Sequence, residues 1–561
     1  MSNRAARLLL AVAVCAGFAG FGSAVVVLFE LMQGVDDTAF LLRTAVKAGA
    51  FGLMTTALLG VVWWLTRTSQ SGERFDPIAA PRWPHSWVGL AIALIIGAGI
   101  AFPRLNDMPR AEPDEMHHLI VAKNLGLEGK YASGTADAGF IYFDSYDSVG
   151  MPVIGPAAMA IRQGGVDVGP PRRVIAVYFL MLLVAAYALL QPAFGGRTAA
   201  FGAALLALAP MSPYLARTVY GEVPGLAWLL IGLVLWRVSW ERRPSWLWGI
   251  LAGAAFGCAV LCKAYLVLFA LPVAAAWLYD YWTHRRIPFR TVPAVIAGGA
   301  LILAAWVVFA LVHGEPAVAE GGRLGTYRHL LLFGLGSVTN ALAWFTERPL
   351  VTTGLLIAAI APSYLLSRER HDPAVLSAWM FAVFVVFWFC FFTPGHIPRY
   401  LWYGVALFSM FFAPTVMSIG AWADRLVEER RVTGALKWLV ALVLFVLLLP
   451  SLYRNAWEMG RMILYNEMRD ERAVAEFVAS LPPGETVGTA HWPLERVMAF
   501  YNGRSIPRGK LDDFDHVVFL HRFAQRWGGE GLAISPTVED YENYTVTILG
   551  IRYIALGPRP E

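Results

Sequence analysis

Charge is what this chain has least of. Only 15% of its 561 residues are Asp, Glu, Lys or Arg, against about 25% in a typical soluble domain. That shortage excludes an ordinary water-soluble globule. The net charge is only +5 and is spread over short loops, so no basic tract points to nucleic acid. Cysteine is scarce too: Cys15, Cys258, Cys262 and Cys390 all lie in apolar stretches. Cys258 and Cys262 share a helix face, but no Cys-x-x-Cys or Cys/His spacing accompanies them, so they read as small buried apolar residues rather than a zinc site or a disulfide. There is no glycine-rich phosphate loop ending in Lys-Ser/Thr and no serine nucleophile elbow. Asp513-Phe514-Asp515 has the form of a metal-nucleotide-sugar motif, but it lies in a tail predicted to be outside the cell, where nucleotide sugars are scarce.

What is abundant is apolar surface. Hydrophobic residues make up 57% of the chain and the mean hydropathy is +0.55. A helix needs about 20 apolar residues to cross a bilayer core. Candidate spans are 7–32, 40–65, 86–102, 173–191, 197–212, 223–240, 246–262, 264–282, 291–312, 349–366, 374–392, 400–420 and 436–453, or about thirteen in all. The first is too long for a signal-peptide core and has no small-x-small cleavage site before a polar chain, so it reads as a retained span. The pair 246–262 and 264–282 is joined by a very short turn.

Arginines in the short loops set the orientation. Arg4 and Arg7, Arg67 to Arg82, Arg237 to Arg243, His284 to Arg290, Arg368 and Arg370, and Arg425 to Arg431 all fall on one side of such a chain. The expectation is a multi-pass protein of the inner (plasma) membrane with a cytoplasmic N-terminus and an extracytoplasmic C-terminus. The predicted organisation is two additional N-terminal helices (1–85), a transmembrane catalytic domain (86–454) with outer loops 103–171 and 313–348, and a soluble extracytoplasmic α/β domain (455–561). In the tail, Arg469–Ser480 reads as an amphipathic helix. Glu485 to Ala490, His516–Leu520 and Thr545 to Leu556 read as strands. Leu330 to Trp344 is weakly apolar and suits an interfacial or re-entrant segment.

Ionisable residues near a membrane are costly and are therefore candidates for function. Four groups stand at outward ends of spans. Glu112-Pro113-Asp114-Glu115 follows the third span. Pro113 suits the first turn of a helix, and Asp114 and Glu115 favour its positive end; alternatively a carboxylate there is a general base. Asp114 and His118, four apart, are of types that share a metal, but no third clear ligand accompanies them, so no metal or other cofactor is expected. Glu222 sits between spans and reads either as a solvated turn residue paired with Arg217 or as part of a site. Lys263 closes the glycine-rich span 246–262 and reads either as a snorkelling lysine or as an anion ligand. Arg399 and Tyr400 open the span 400–420, as an interfacial anchor or as ligands. Topology sends all of them to one side. Two carboxylates and two cations in one outer cavity suit a phosphate-linked donor and a hydroxyl or amine acceptor.

In order, these residues resemble a known group. Pro113-Asp114-Glu115, Ala122, Asn124, Leu125 and Gly129-Lys130-Tyr131-Ala132 are similar to the first outer loop of GT-C class glycosyltransferases, such as the aminoarabinose transferases of lipid A and the protein O-mannosyltransferases. Leu208-Ala209-Pro210 through Glu222-Val223-Pro224 resembles their second acidic loop, Gly253 through Lys263 their glycine-rich helix, and Pro398-Arg399-Tyr400-Leu401 their Arg-Tyr helix start. The resemblance runs over roughly 86–420. It implies a sugar donor on a polyprenyl phosphate, an envelope acceptor (lipid, glycan or protein) and inversion by direct displacement. It makes Asp114 the catalytic base, with Glu115 and Glu222 positioning the acceptor or tuning Asp114. It also implies that Lys263 and Arg399, with the adjoining Tyr400, contact the donor phosphate. Two departures are visible. The stretch Tyr142 to Pro152 lacks the lysine of the aminoarabinose transferases, and the two spans before residue 86 are additional.

Two other classes compete. A polysaccharide polymerase or ligase with diphosphate-linked donors depends more on outward arginines than on a carboxylate. A flippase for lipid-linked sugars tends to show inverted repeats and mid-membrane charges, and neither pattern is evident here.

Overall fold

The computed structural model describes residues 86–143, 149–242, 244–283, 287, 291–313, 372–392, 398–428, 468–482, 484–489, 492–504, 514–520, 545–549 and 553–557. The predicted spans 7–32, 40–65, 349–366 and 436–453 lie outside these residues. So do Asp513 and all but the first residue of the segment 313–348.

The helices form where the apolar runs are. In chain order they are α1 (Ser86–Ala101), α2 (Pro113–Glu128), α3 (Met151–Gly164), α4 (Gly169–Phe194), α5 (Gly196–Ala207), α6 (Ser212–Leu215), α7 (Glu222–Glu241), α8 (Ser245–Cys262), α9 (Ala270–Thr283), α10 (Thr291–His313), α11 (Pro373–Phe392) and α12 (Pro398–Glu428). Among them α4, α7, α8, α10 and α12 contain stretches long and apolar enough to cross a membrane. α1, α9 and α11 carry shorter apolar stretches.

The predicted span 197–212 differs. Its helix ends at Ala207 after 12 residues, a rise of about 18 Å. Pro210 follows, and Met211 takes a left-handed φ of 67°, so the chain turns before the short α6. Proline withholds an amide and disfavours helix in the residue before it. The close pair 246–262 and 264–282 is present as two helices. Lys263 alone makes the turn in extended conformation, and a 3-10 segment (Ala264–Phe269) leads into α9.

Close packing holds α8 in place. Gly253 lies against the backbone of Val295 on α10, and Gly257 lies against Gly299 and Ile302. Small residues let membrane helices approach closely and pack by van der Waals contact. α8 also packs on α7, α7 on α4, α4 and α1 on α5, and α12 on α5 and α11. At the far end of α7, Arg237 is buried and forms a 2.5 Å ion pair with Asp372. It also donates to the carbonyls of Ala188 and Leu189. Arg237 was expected as a loop cation marking topology; its burial makes it an anchor between helices, whereas Arg242 is exposed.

Between α1 and α4 runs the first large loop. α2 ends at Gly129, which donates to the Leu125 carbonyl and whose φ of 72° turns the next amide, that of Lys130, to the Asn124 carbonyl, a conformation glycine adopts without steric cost. Asn124 donates to Ala132 and Gly134, tying α2 to the antiparallel hairpin β1 (Ala132–Thr135) and β2 (Gly139–Tyr142). α3 buries Val153, Ile154, Ala157, Ala158 and Ile161, a stripe at helical spacing.

The tail contains α13 (Arg469–Ser480), β3 (Val487–Thr489), α14 (Trp492–Tyr501), β4 (His516–Leu520), β5 (Thr545–Leu549) and β6 (Tyr553–Gly557). The sheet order is β3-β4-β6-β5, with β3 parallel to β4 and the other pairs antiparallel. The run Thr545 to Leu556, expected as one strand, is a hairpin of two. Asp515 accepts hydrogen bonds from the amide and hydroxyl of Thr486. These bonds hold its carboxyl below the usual range and occupy it in joining β3 to β4.

Candidate active site

α2 is tied to the loop before α7 at Val219, through both its amide and its carbonyl. The Glu115 carboxylate accepts from its amide at 2.9 Å. Nδ1 of His118 lies 2.9 Å from its carbonyl. Burial, then the charges of Lys263 and His117, push the His118 pKa down to about 3. The neutral ring therefore donates from Nδ1 to that carbonyl.

Glu115 is fully buried and forms a two-pronged pair with Arg172, Nε to Oε1 and Nη2 to Oε2, both at 2.8 Å. Arg172 also donates to the carbonyl of Leu105. The expectation for Glu115 is to position the acceptor or tune Asp114. Its oxygens face inward, to Arg172 and the Val219 amide, and so tie α2 to the loop that leads to Glu222. Arg217, expected as the partner of Glu222, donates to the carbonyls of Ile100, Arg104 and Met108.

This scaffold gathers Asp114, Glu222, Lys263 and Arg399. Arg399, from the first turn of α12, hydrogen-bonds Asp114 through Nη2. Its Nε lies 3.7 Å from Oε1 of Glu222, and its Nη1 lies 3.9 Å from Glu112. Lys263 Nζ lies 3.4 Å from the same Glu222 oxygen. One guanidinium thus stands between two carboxylates, with the ammonium beyond the second. Glu222 is neither a solvated turn residue nor paired with Arg217, and Lys263 is buried rather than snorkelling.

Exposure grades across the cluster. The Asp114 side chain is 46% accessible, Arg399 10%, Lys263 4% and Glu222 0%. Asp114 therefore faces solvent, while Glu222 and Lys263 form the floor. Burial of Asp114 opposes its charged form, but the hydrogen bond and charge of Arg399 outweigh it, and the carboxyl lies below its ordinary pKa.

Aromatic rings line the cluster. The Arg399 guanidinium lies 4.8 Å from the Tyr220 ring centre and 5.6 Å from that of Tyr400. Lys263 Nζ is 5.7 Å from the Tyr400 ring. Tyr400 packs edge-on to Tyr265, which stacks on Trp388. Such rings favour cations at their faces. The Tyr220 hydroxyl donates to Glu112 at 2.9 Å. Among the described residues no three His, Cys, Asp or Glu side chains group closely enough to hold a metal ion.

Tyr220 and Arg172 belong to this unit, but sequence reasoning assigns them no role; Glu112 enters it only as part of the acidic group around Asp114. Arg172 carried a usable signal. It lies at the helix ends opposite those bearing the loop arginines, so it does not mark topology and needs another reason to be there.

No curated protein matches the chain. Residues 164–311 match the family described as dolichyl-phosphate-mannose-protein mannosyltransferase, a stretch that includes Glu222 and Lys263. ArnT from Cupriavidus metallidurans bound to undecaprenyl phosphate is similar in fold, with a TM-score of 0.54 at 14% identity over 84% of this chain and 98% of that one. The apo state of the same ArnT gives 0.51 at 15% identity, covering 84% and 97%. The Archaeoglobus fulgidus oligosaccharyltransferase in its apo form gives 0.50 at 12% identity, covering 78% and 70%. In fold, and in the matched segment, the chain resembles the GT-C class of polyprenyl-phosphate-dependent glycosyltransferases.

Proposed function

We propose that this protein is a membrane glycosyltransferase that moves a sugar from a polyprenyl phosphate to an envelope acceptor, with inversion at the anomeric carbon. The observation that carries this reading is the placement of Arg399 between Asp114 and Glu222, with Lys263 beyond. The bound undecaprenyl phosphate of the similar ArnT and the mannosyltransferase match over 164–311 support it.

The chemistry follows from the charges. An acceptor hydroxyl or amine attacks the anomeric carbon, and its proton passes to Asp114, the more accessible carboxylate. The bond between that carbon and the phosphate oxygen breaks, and its electron pair leaves with the polyprenyl phosphate. A phosphodiester with one negative charge thereby becomes a monoester gaining a second. Lys263 and Arg399 meet that developing charge, the kind of prearranged stabilisation that contributes most to such transfers. Tyr400 flanks both cations. Glu222 holds the two cations apart and in place, and Glu115 orients the helix that presents Asp114. The distribution of the loop arginines favours the extracytoplasmic face for this chemistry.

The test is mass spectrometry of products after incubating purified protein with a panel of polyprenyl-phosphate sugars and lipid, glycan and protein acceptors. Wild-type protein yields a glycosylated acceptor, and folded D114N yields almost none. Near-normal turnover by D114N removes Asp114 as the base. Net lipid movement across vesicles without glycosylated product overturns the enzyme reading.

A further inference from the structure

The loop that delivers Asp114 has little structure of its own. From Phe102 to Glu112 its internal backbone bonds are confined to the turn at Arg104, whose carbonyl accepts from Asp107 and Met108. On one side Arg217 holds the carbonyls of Arg104 and Met108. On the other side the tail holds it. The Met468 amide donates to the Asp107 carbonyl, and the Ala111 amide reaches the Met468 sulfur. Glu471, buried on α13, pairs with Arg110 at 2.6 Å. Arg472 bridges Asp107, Asp167 and the carbonyl of Asn106.

α14 reaches furthest into the site. Arg496 Nη1 donates to the carbonyl of Pro113 at 2.8 Å, one residue before Asp114. From α2, Lys123 is buried and donates to the Ala499 carbonyl at 2.6 Å, near the C-terminal end of α14, where a cation suits the helix dipole. Tyr501 donates to Asp167 at 3.2 Å. The two helices are thus linked at both ends of their crossing.

We propose that α14 is part of the catalytic unit and that Arg496 is a positioning residue for Asp114. It sets the first turn of α2 so that the carboxylate meets Arg399 and the incoming acceptor. Other groups tie the loop to the tail, but Arg496 bonds the peptide next to the base. This inference rests on the proposed role of Asp114 as base.

The experiment compares wild type, R496M, R496K and D114N as full-length protein in nanodiscs. It measures kcat, donor KM, the pH dependence of kcat/KM and thermal stability. A base displaced by about an ångström loses on the order of a hundredfold in rate. R496M is therefore expected to lower kcat by about ten- to a hundredfold per folded molecule. Donor KM should stay within about twofold, because Lys263 and Arg399 are untouched, and the acid limb should move to higher pH as the Asp114–Arg399 contact loosens. R496K keeps a donor for the Pro113 carbonyl and should recover part of kcat.

Wild-type kcat in folded R496M, or an acid limb that stays in place, overturns the proposal. So does a loss confined to thermal stability. If R496M does not fold, Y501F removes one hydroxyl from the same helix; it should lower kcat without changing donor KM, and unchanged kcat overturns the inference. D114N separates the two claims: normal turnover in D114N sinks the base, whereas inactive D114N beside fully active R496M sinks the clamp alone.

Discussion

Arg399 and Asp114, 285 residues apart in sequence, are joined by a direct hydrogen bond between guanidinium and carboxylate. The bond has two effects on a base. It aims the carboxylate, and it favours the ionised form. Burial pushes the Asp114 pKa up, but Arg399 more than compensates, so the pKa lies below its ordinary value. A base works only when deprotonated, so the acid limb of the rate profile should fall below the usual carboxylate range. Replacing Arg399 by Gln removes the lowering influence and raises the pKa. In R399Q the acid limb of kcat/KM should shift to higher pH while the plateau falls. A limb that stays in place would mean that Asp114 does not set it.

Asp114 and Glu115 are neighbours with opposite surroundings. Loss of a general base costs about 10²–10⁴ in rate, so D114N should lose activity on that scale with near-normal stability. Glu115 is sealed against Arg172. E115Q leaves a buried arginine without its counter-charge, and breaking such a pair costs about 3–5 kcal/mol. E115Q should therefore show a lowered unfolding temperature and a much smaller loss of kcat per folded molecule. Equal kcat losses in the two variants would put Glu115 in the chemistry.

How much of this was legible in the sequence depends on what kind of residue carries it. Apolar runs report burial in lipid, so the helices 223–240, 246–262, 291–312 and 374–392 were placed within a residue or two of where they lie. Charges at the ends of apolar spans report cost, so Asp114, Glu222, Lys263 and Arg399 stand out, and the structure brings them together. Direction is not written that way. Nothing in Asp114-Glu115 says which carboxylate faces out, because that depends on Arg172, 57 residues away. Sequence alone leaves Glu222 open between a pair with nearby Arg217 and a place in a site; packing gives Arg217 to three backbone carbonyls instead. The helix after 197 stopped early because Pro210 and the left-handed turn at Met211 outweighed its hydropathy.

Glu222 holds the cations by charge alone. Its oxygens are buried without a hydrogen-bond partner, yet Lys263 and Arg399 lie 3.4 and 3.7 Å from one of them. E222Q leaves two buried cations facing each other, a loss of about 3–5 kcal/mol. Removing Lys263 as well should restore part of it. In a cycle of E222Q, K263M and the double variant, a coupling of about 1–3 kcal/mol is expected from thermal or denaturant unfolding in detergent. Simple additivity would show that the two side chains do not interact.

Gly221 tests whether this spacing matters to the donor. Its φ is −81°, so its backbone is not one that requires glycine. What requires it is proximity: a Cβ at Gly221 would overlap the Cys262 carbonyl oxygen, immediately before Lys263. Backbone stands on both sides of that contact, so neither can yield as a side-chain tip would. G221A must push Glu222 and Lys263 apart. Overpacking of this kind costs about 1–3 kcal/mol, and the displaced ammonium should raise donor KM. Gly129 provides the control. Its φ of 72° strains any other residue, yet nothing lies within 4 Å of its would-be Cβ. G129A should lose about 1 kcal/mol of stability and leave donor KM alone. If G221A and G129A are equally destabilised and bind donor equally well, the close approach at Cys262 does not position Lys263 for phosphate.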